Sequence, residues 1–199
     1  MMALRGYFGK VLFVDLSRRS MKELEIPEKV YRDFIGGQGL GARILYEHMK
    51  PKAPPLGPDN IIGFLVGPLT GTGFHGARAQ IVGKSPITGG WGDSNFGGSF
   101  PLSLKAAGYD GVFFLGKSED PVYFYLNEGE GEFKDASHLW GKNTFETEAL
   151  IKEEIGKKRV DVACIGPAGE LQSLMAKEAH PELFSLSLTS VCAKKQKKN

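Results

Sequence analysis

With 199 residues and a net charge of only +2, the chain has room for one ordinary domain or two very small ones and lacks the basic surplus of a nucleic-acid binder. Two cysteines without a CxxC pair exclude a disulfide framework and a complete metal site, and no run approaches the ~18 apolar residues of a membrane span or the apolar core of a leader peptide. Hydrophobic and charged shares of 41% and 24% describe a globular protein with a core, expected in the cytoplasm with no membrane and no nucleic-acid partner.

"KVLFVDL" (10–16) and "SMKELEI" (20–26) predict two strands joined by a polar turn. Pro27 pre-sets a helix in which Val30 and Phe34 stand four apart and which Gly36-Gly37 ends, and "LGARILYEHM" (40–49) predicts a second helix. "GGQGLG" (36–41) follows a helix and not a strand, so it reads as a helix–helix corner closed by small residues and not as a dinucleotide loop. After a Pro-rich surface connector, "NIIGFLVGP" (60–68) has the unbroken apolarity of a strand buried on both faces. "GARAQIVGKS" (76–85) predicts another strand, and "FPLSLKAAG" (100–108) a short helix closed by Gly108.

Two strands at 110–117 and 121–127 are rich in β-branched and aromatic residues, and "GEGEF" turns into a further one. "NTFETEALIKEEIG" (143–156) is the clearest helix, with Asn143 as cap, Glu146 at the third helical position and Gly156 as its end. "RVDVACIGP" (159–167) predicts a buried strand in which Cys164 is a small hydrophobe.

The order of elements repeats. Strands at 10–16 and 20–26, helices to 49 and a strand at 60–66 ending in Gly-Pro are echoed by strands at 111–116 and 121–126, a helix at 144–155 and a strand at 160–165 ending in Gly-Pro. The fold class is therefore α+β, with internally duplicated strand-strand-helix-strand units forming two packed mixed sheets.

Glycine supplies 27 residues, about twice the usual ~7% share, and crowds most densely into "SPITGGWGDSNFGGSF" (85–100). With Arg78 and Lys84 on the preceding strand, a loop of Asp93, Ser94 and Asn95, and Gly97-Gly98 opening a helix, bare N–H groups and cations would together suit an anion. The guanidinium can hold a phosphate bidentately and an Asn carbonyl is a hard ligand for Mg²⁺. The plainer alternatives stand beside this: a solvated Arg78, turn-forming Asp93 and Asn95, an exposed loop histidine at His75 and a solvated KKQKKN tail. No catalytic constellation is legible.

The segments "GPLTGTG", "KSPITGG", "SNFGG", "AGYDGVFFLGKSEDPVYFY", "DASHLWGKNTFETE" and "IGPAGE", in this order from Gly6 to Glu170, resemble the N-terminal domain of the aldehyde ferredoxin oxidoreductase family. These are tungsten or molybdenum enzymes with a bis-pterin cofactor, tungstopterin or molybdopterin, that oxidise an aldehyde with water to the acid and pass electrons through a 4Fe-4S cluster to ferredoxin. The resemblance implies an internally duplicated base on which the cofactor sits. It matches Arg78 to the arginine at the cofactor phosphate and Asn95 to the residue whose backbone carbonyl ligates a Mg²⁺ bridging the pterin phosphates. Phe96, Gly97 and Gly98 line the same contact.

After "IGPAGE" the chain departs from the family pattern: the Arg- and Gly-rich loop of the second half-site does not follow, and the cluster ligands are not found. The expectation is a base domain at 1–170 and a divergent tail at 171–199, either out-of-frame or truncated sequence of a longer enzyme or the end of a subunit that pairs with a separate catalytic chain. "LFSLSLTSV" within the tail could pair as a strand. The chain alone is expected to bind cofactor phosphate and to be inactive; the alternative is a non-catalytic pterin- or phosphate-binding module. Exposed apolar surface on the uncovered face favours self-association, for example as a homodimer.

Overall fold

Alternation along the first strand sets the architecture. In β1 (Lys10–Asp15), Leu12 and Val14 face one core while Val11 and Phe13 face another. The first core is shared with Val122, Phe124 and Leu126 of β7 (Val122–Asn127); the second is filled by Leu40, Ile44 and Leu45 of α2 (Gly37–His48). A third cluster, with Tyr123 on the far face of β7 and Ile151 of α4 (Thr144–Ile155), completes a stack of helices, sheet, sheet and helix. The computed structural model describes residues 5–74, 76–157, 159–171 and 189–192, the last four by their backbone. His75, the terminal KKQKKN and most of the tail lie outside the described residues.

The remaining elements are β2 (Ser20–Glu25), α1 (Glu28–Phe34), β3 (Ile61–Val66), β4 (Ala79–Lys84), β5 (Trp91–Phe96), α3 (Phe100–Ala106), β6 (Gly111–Leu115), β8 (Glu130–Asp135), β9 (Asp161–Ala163), the one-turn α5 (Pro167–Glu170) and β10 (Thr189–Cys192). Among the described residues the strands form a six-stranded sheet, β2-β1-β6-β3-β4-β5, and a four-stranded sheet, β8-β7-β10-β9. Every residue of β3 is buried, as its unbroken apolar run requires. The Gly-rich corner packs as expected: a Cβ on Gly39 would meet Phe34 O at 2.4 Å, and one on Gly41 would meet Val82 Cγ2 at 2.9 Å. Helix α4 carries a complete capping box between Asn143 and Glu146 and ends at Gly156 in the left-handed region.

The duplication is present, but its second copy starts one strand later than the sequence order suggests. Strand β6 belongs to the first sheet, parallel to β1 and antiparallel to β3. The second copy is β7, β8, α4 and β9, with β10 in the place of β6, so that β8-β7-β10-β9 repeats β2-β1-β6-β3 with the same sense at each pairing. Neighbouring strands in a chain usually pair, and β6 and β7 look like such a pair; here they lie in different sheets. Part of the tail thus re-enters the body as β10, overlapping the end of the segment that could pair.

Two further expectations are corrected. Residues 91–96 are a strand and not a loop, paired six for six with β4; the ladder outweighs the weak strand preference of Gly, Asp, Ser and Asn at an edge. The buried strand expected at 159–167 shrinks to the three half-buried residues of β9, which border an open cleft between the sheets.

Candidate functional site

The β4–β5 ribbon forms the outer edge of the larger sheet, and its two faces differ. Ile81, Ser94 and Phe96 face inward, where the Phe96 ring lies 6.3 Å from Phe64 and 5.7 Å from Phe100 and pins the end of β5 to the core. Gln80 and Asn95 are cross-strand partners on the other face, and Arg78, two residues before Gln80, shares it. Exposed Arg78 donates from Nη1 to Asn95 Oδ1 at 2.7 Å. Among the described residues no carboxylate pairs with Arg78, so its charge meets a neutral partner that orients the guanidinium without cancelling it.

The backbone around this pair is bare. A Cβ on Gly97 would lie 3.4 Å from Ala77 O and 3.7 Å from Arg78 Cδ, in the space beside the arginine stem. Gly98 follows at φ +83°, a conformation that favours glycine and turns the chain into α3. Behind the ribbon, buried Thr70 accepts from Gly67 N at 3.3 Å and donates to Arg78 O at 3.2 Å, fixing the turn from which Arg78 springs. Ser99 and Ser103 both donate to Asp161, tying the start of α3 to β9.

Arg78, Asn95, Gly97 and Gly98 therefore lie together, whereas Phe96, expected to line the same contact, turns its ring to the opposite, inward face and adjoins the others only through its backbone. Lys84 does not join them. It sits at the far end of β4, opposite Trp91, and its ammonium donates to Ala53 O at 2.6 Å. Asp93 instead accepts from Trp91 Nε1 at 2.8 Å. Thr70 and Gln80 carry no sequence signal of a role here; both become visible only once the strands are paired.

A cavity of about 730 Å³ opens on the inner face between the sheets, walled by Phe64, Phe96, Phe100, Phe145 and Ile165 and bordered by Cys164. Burial, assisted by the charge of Glu148, pushes the Cys164 thiol up to about 11, which leaves it protonated at neutral pH and a poor ligand or nucleophile. Among the described residues no cluster of His, Cys, Asp and Glu could hold a metal, and no helix is long and apolar enough to cross a membrane.

A phosphate fits the outer face. An oriented guanidinium without a carboxylate partner among the described residues, a Gly97–Gly98 backbone bare of side chains beside the arginine stem, and a half-buried carboxamide with an unpartnered oxygen, Gln80 Oε1, make a polar and sterically open patch.

Comparison with known proteins matches residues 11–183 to the model of the aldehyde ferredoxin oxidoreductase N-terminal domain. The tungsten-containing aldehyde ferredoxin oxidoreductase of Pyrococcus horikoshii is 45% identical over 166 residues, which are 83% of this chain and 27% of that protein. The aliphatic sulfonate oxidoreductase, WOR-like subunit, of Pyrococcus furiosus is 42% identical over 160 residues, 77% of this chain and 26% of that one. A solved chain of the active site complex BamBC of benzoyl coenzyme A reductase, in complex with 1,5-dienoyl-CoA, superposes with a TM-score of 0.90 at 34% identity, covering 96% of this chain and 31% of its own. The chain thus spans about a quarter of the length of the curated relatives it matches.

Proposed function

This chain belongs to the aldehyde ferredoxin oxidoreductase family, through its N-terminal domain, and we propose that it serves as the base that grips the phosphate end of a bis-pterin cofactor carrying tungsten or molybdenum. The observation that carries the reading is Arg78, held by Asn95 with no carboxylate partner among the described residues beside the Gly97–Gly98 backbone. Arg78 would donate to the phosphate oxygens, Asn95 keeps the guanidinium aimed and would offer its backbone carbonyl to an accompanying Mg²⁺, and Phe96 anchors the strand while Gly97 and Gly98 would let the phosphate approach. When bound, the cofactor would supply the two-electron oxidation of an aldehyde with water to the acid, with a 4Fe-4S cluster and ferredoxin as the electron acceptors that the family implies.

In this reading residues 1–170 are the base, 171–199 a divergent tail that returns one strand, β10, to the second sheet, the protein is cytoplasmic, and the base alone does not turn over. A second reading, a subunit that docks on a separate catalytic chain, draws support from relatives named as a subunit and as part of a complex.

The test is elemental analysis of the protein purified anaerobically from its own host, together with its intact mass. Tungsten or molybdenum with phosphorus at cofactor stoichiometry, lost on Arg78→Ala, is expected. A protein of this chain's mass that holds neither metal nor phosphorus under those conditions would overturn the proposal.

A further inference from the structure

Gln80 pairs with Asn95 across the ribbon and lies one strand repeat from Arg78, yet none of the hydrogen bonds that organise the patch uses it. Its Oε1 is buried and has no hydrogen-bond partner among the described residues, while the residue as a whole is only half-buried. Its stem lies against α2, where a Cβ on Gly37 would stand 3.6 Å from Gln80 Cγ. The two ends of a carboxamide diverge from one carbon, so a buried oxygen leaves the amino group on the other side, and Nε2 is not among the buried unpartnered atoms.

A buried, unsatisfied acceptor costs stability that Met, a side chain of similar length and no polar atom, would not. A carboxamide with no internal partner at such a place is therefore explained by something outside the chain. Its neighbours say what. Arg78 presents donors, Asn95 Oδ1 is already occupied in accepting from Arg78, and the outward amino group adds two further N–H donors. Donors from neighbouring residues of one face, with no carboxylate paired to Arg78 among the described residues, suit an anion.

Resting on the reading above, we propose that Gln80 is a phosphate-binding residue of this site: its amino group donates to the same phosphate that Arg78 holds, and the inward oxygen is the structural cost of aiming it. The phosphate then sits over the Arg78–Gln80–Asn95 triangle and not at the Gly97–Gly98 end alone.

The experiment is calorimetric titration of the full chain with inorganic phosphate, in the wild type and in Gln80→Met, Gln80→Glu and Arg78→Met, with a thermal melt of each free protein. We expect Gln80→Met to weaken phosphate binding about tenfold while its melting temperature holds or rises, because removing the donor also removes the unsatisfied oxygen. Gln80→Glu sets a carboxylate beside the anion and weakens binding further, an effect that added salt reduces. Should Gln80→Met not fold, Gln80→Glu decides alone. Phosphate affinity within twofold of wild type in the Gln80 variants, with binding still lost in Arg78→Met, overturns the role of Gln80 and leaves the site reading standing. No phosphate binding by the wild type, or binding indifferent to Arg78, removes both.

Discussion

Asp110 is almost wholly buried, and four groups satisfy it: Phe8 N and Gly9 N each donate at 2.9 Å, Tyr31 Oη at 2.7 Å, and the Lys105 ammonium forms an ion pair. Lys105 in turn donates to Gly6 O at 2.8 Å and lies over the rings of Tyr7 and Phe8. The cluster clamps the N-terminal segment onto the end of α3. Removing one member of a buried pair leaves the other uncompensated, so Lys105→Met is expected to cost about 3–5 kcal/mol in urea unfolding at neutral pH. A loss below about 1 kcal/mol would mean that the backbone donors and Tyr31 satisfy Asp110 without the lysine. None of this was legible in the sequence, where Lys105 falls in a short helix and Asp110 at the start of a strand. Arg78 and Asn95 were legible, because an arginine beside a glycine-rich run and the family's wording both point there. Thr70 and Gln80 were not, since their roles arise from register and from a turn folded back under Arg78.

At the scale of elements, local signals read well and cross-strand ones poorly. The capping box of α4 and its terminal Gly156 involve residues three or four apart, and both stand as expected. The strand β5 depends on β4 opposite it, so its own sequence looked like a loop. The corner at α2 combines the two cases: its glycines are legible as a close contact, but only the fold shows that Gly41 meets β4. Gly41→Ala is a test in which two effects oppose each other. Alanine gains up to about 1 kcal/mol of helix propensity, whereas overpacking costs about 1–3 kcal/mol. The new Cβ would stand 2.9 Å from Val82 Cγ2 and 3.1 Å from Leu65 Cδ1, both on fully buried side chains, and the branched valine has little rotamer freedom to yield. We expect the overpacking to win, with a net loss of about 1–2 kcal/mol and a lower melting temperature. A higher melting temperature would show that α2 can lift off the sheet at no cost.

Across the whole molecule, the two copies of the repeat share one inner core and each carries its helices outside, so the three hydrophobic clusters are layers of a single stack. Each layer holds one deeply buried tyrosine: Tyr31 on the inward side of α1, Tyr109 between the sheets and Tyr123 beneath α4. Burial first, and then a nearby carboxylate, raises each phenol well above its ordinary value of 10: Asp110 for Tyr31, Glu23 for Tyr109 and Glu154 for Tyr123. In the unfolded chain these groups lose their protons near pH 10, while in the folded chain they keep them. Above that pH the unfolded state binds fewer protons, so stability must fall as pH rises, by up to about 1.4 kcal/mol per pH unit for each tyrosine. Below about pH 9 both states hold the protons and this contribution is flat. Urea unfolding at pH 8, 9, 10 and 11, with phenolate absorbance followed in parallel, should show stability level to about pH 9 and then dropping, the three phenols ionising together with loss of the fold. Their titration near pH 10 with the fold intact would mean that water reaches all three layers, and that the inner core is open from the cleft beside β9 and not sealed by the packing of the two sheets.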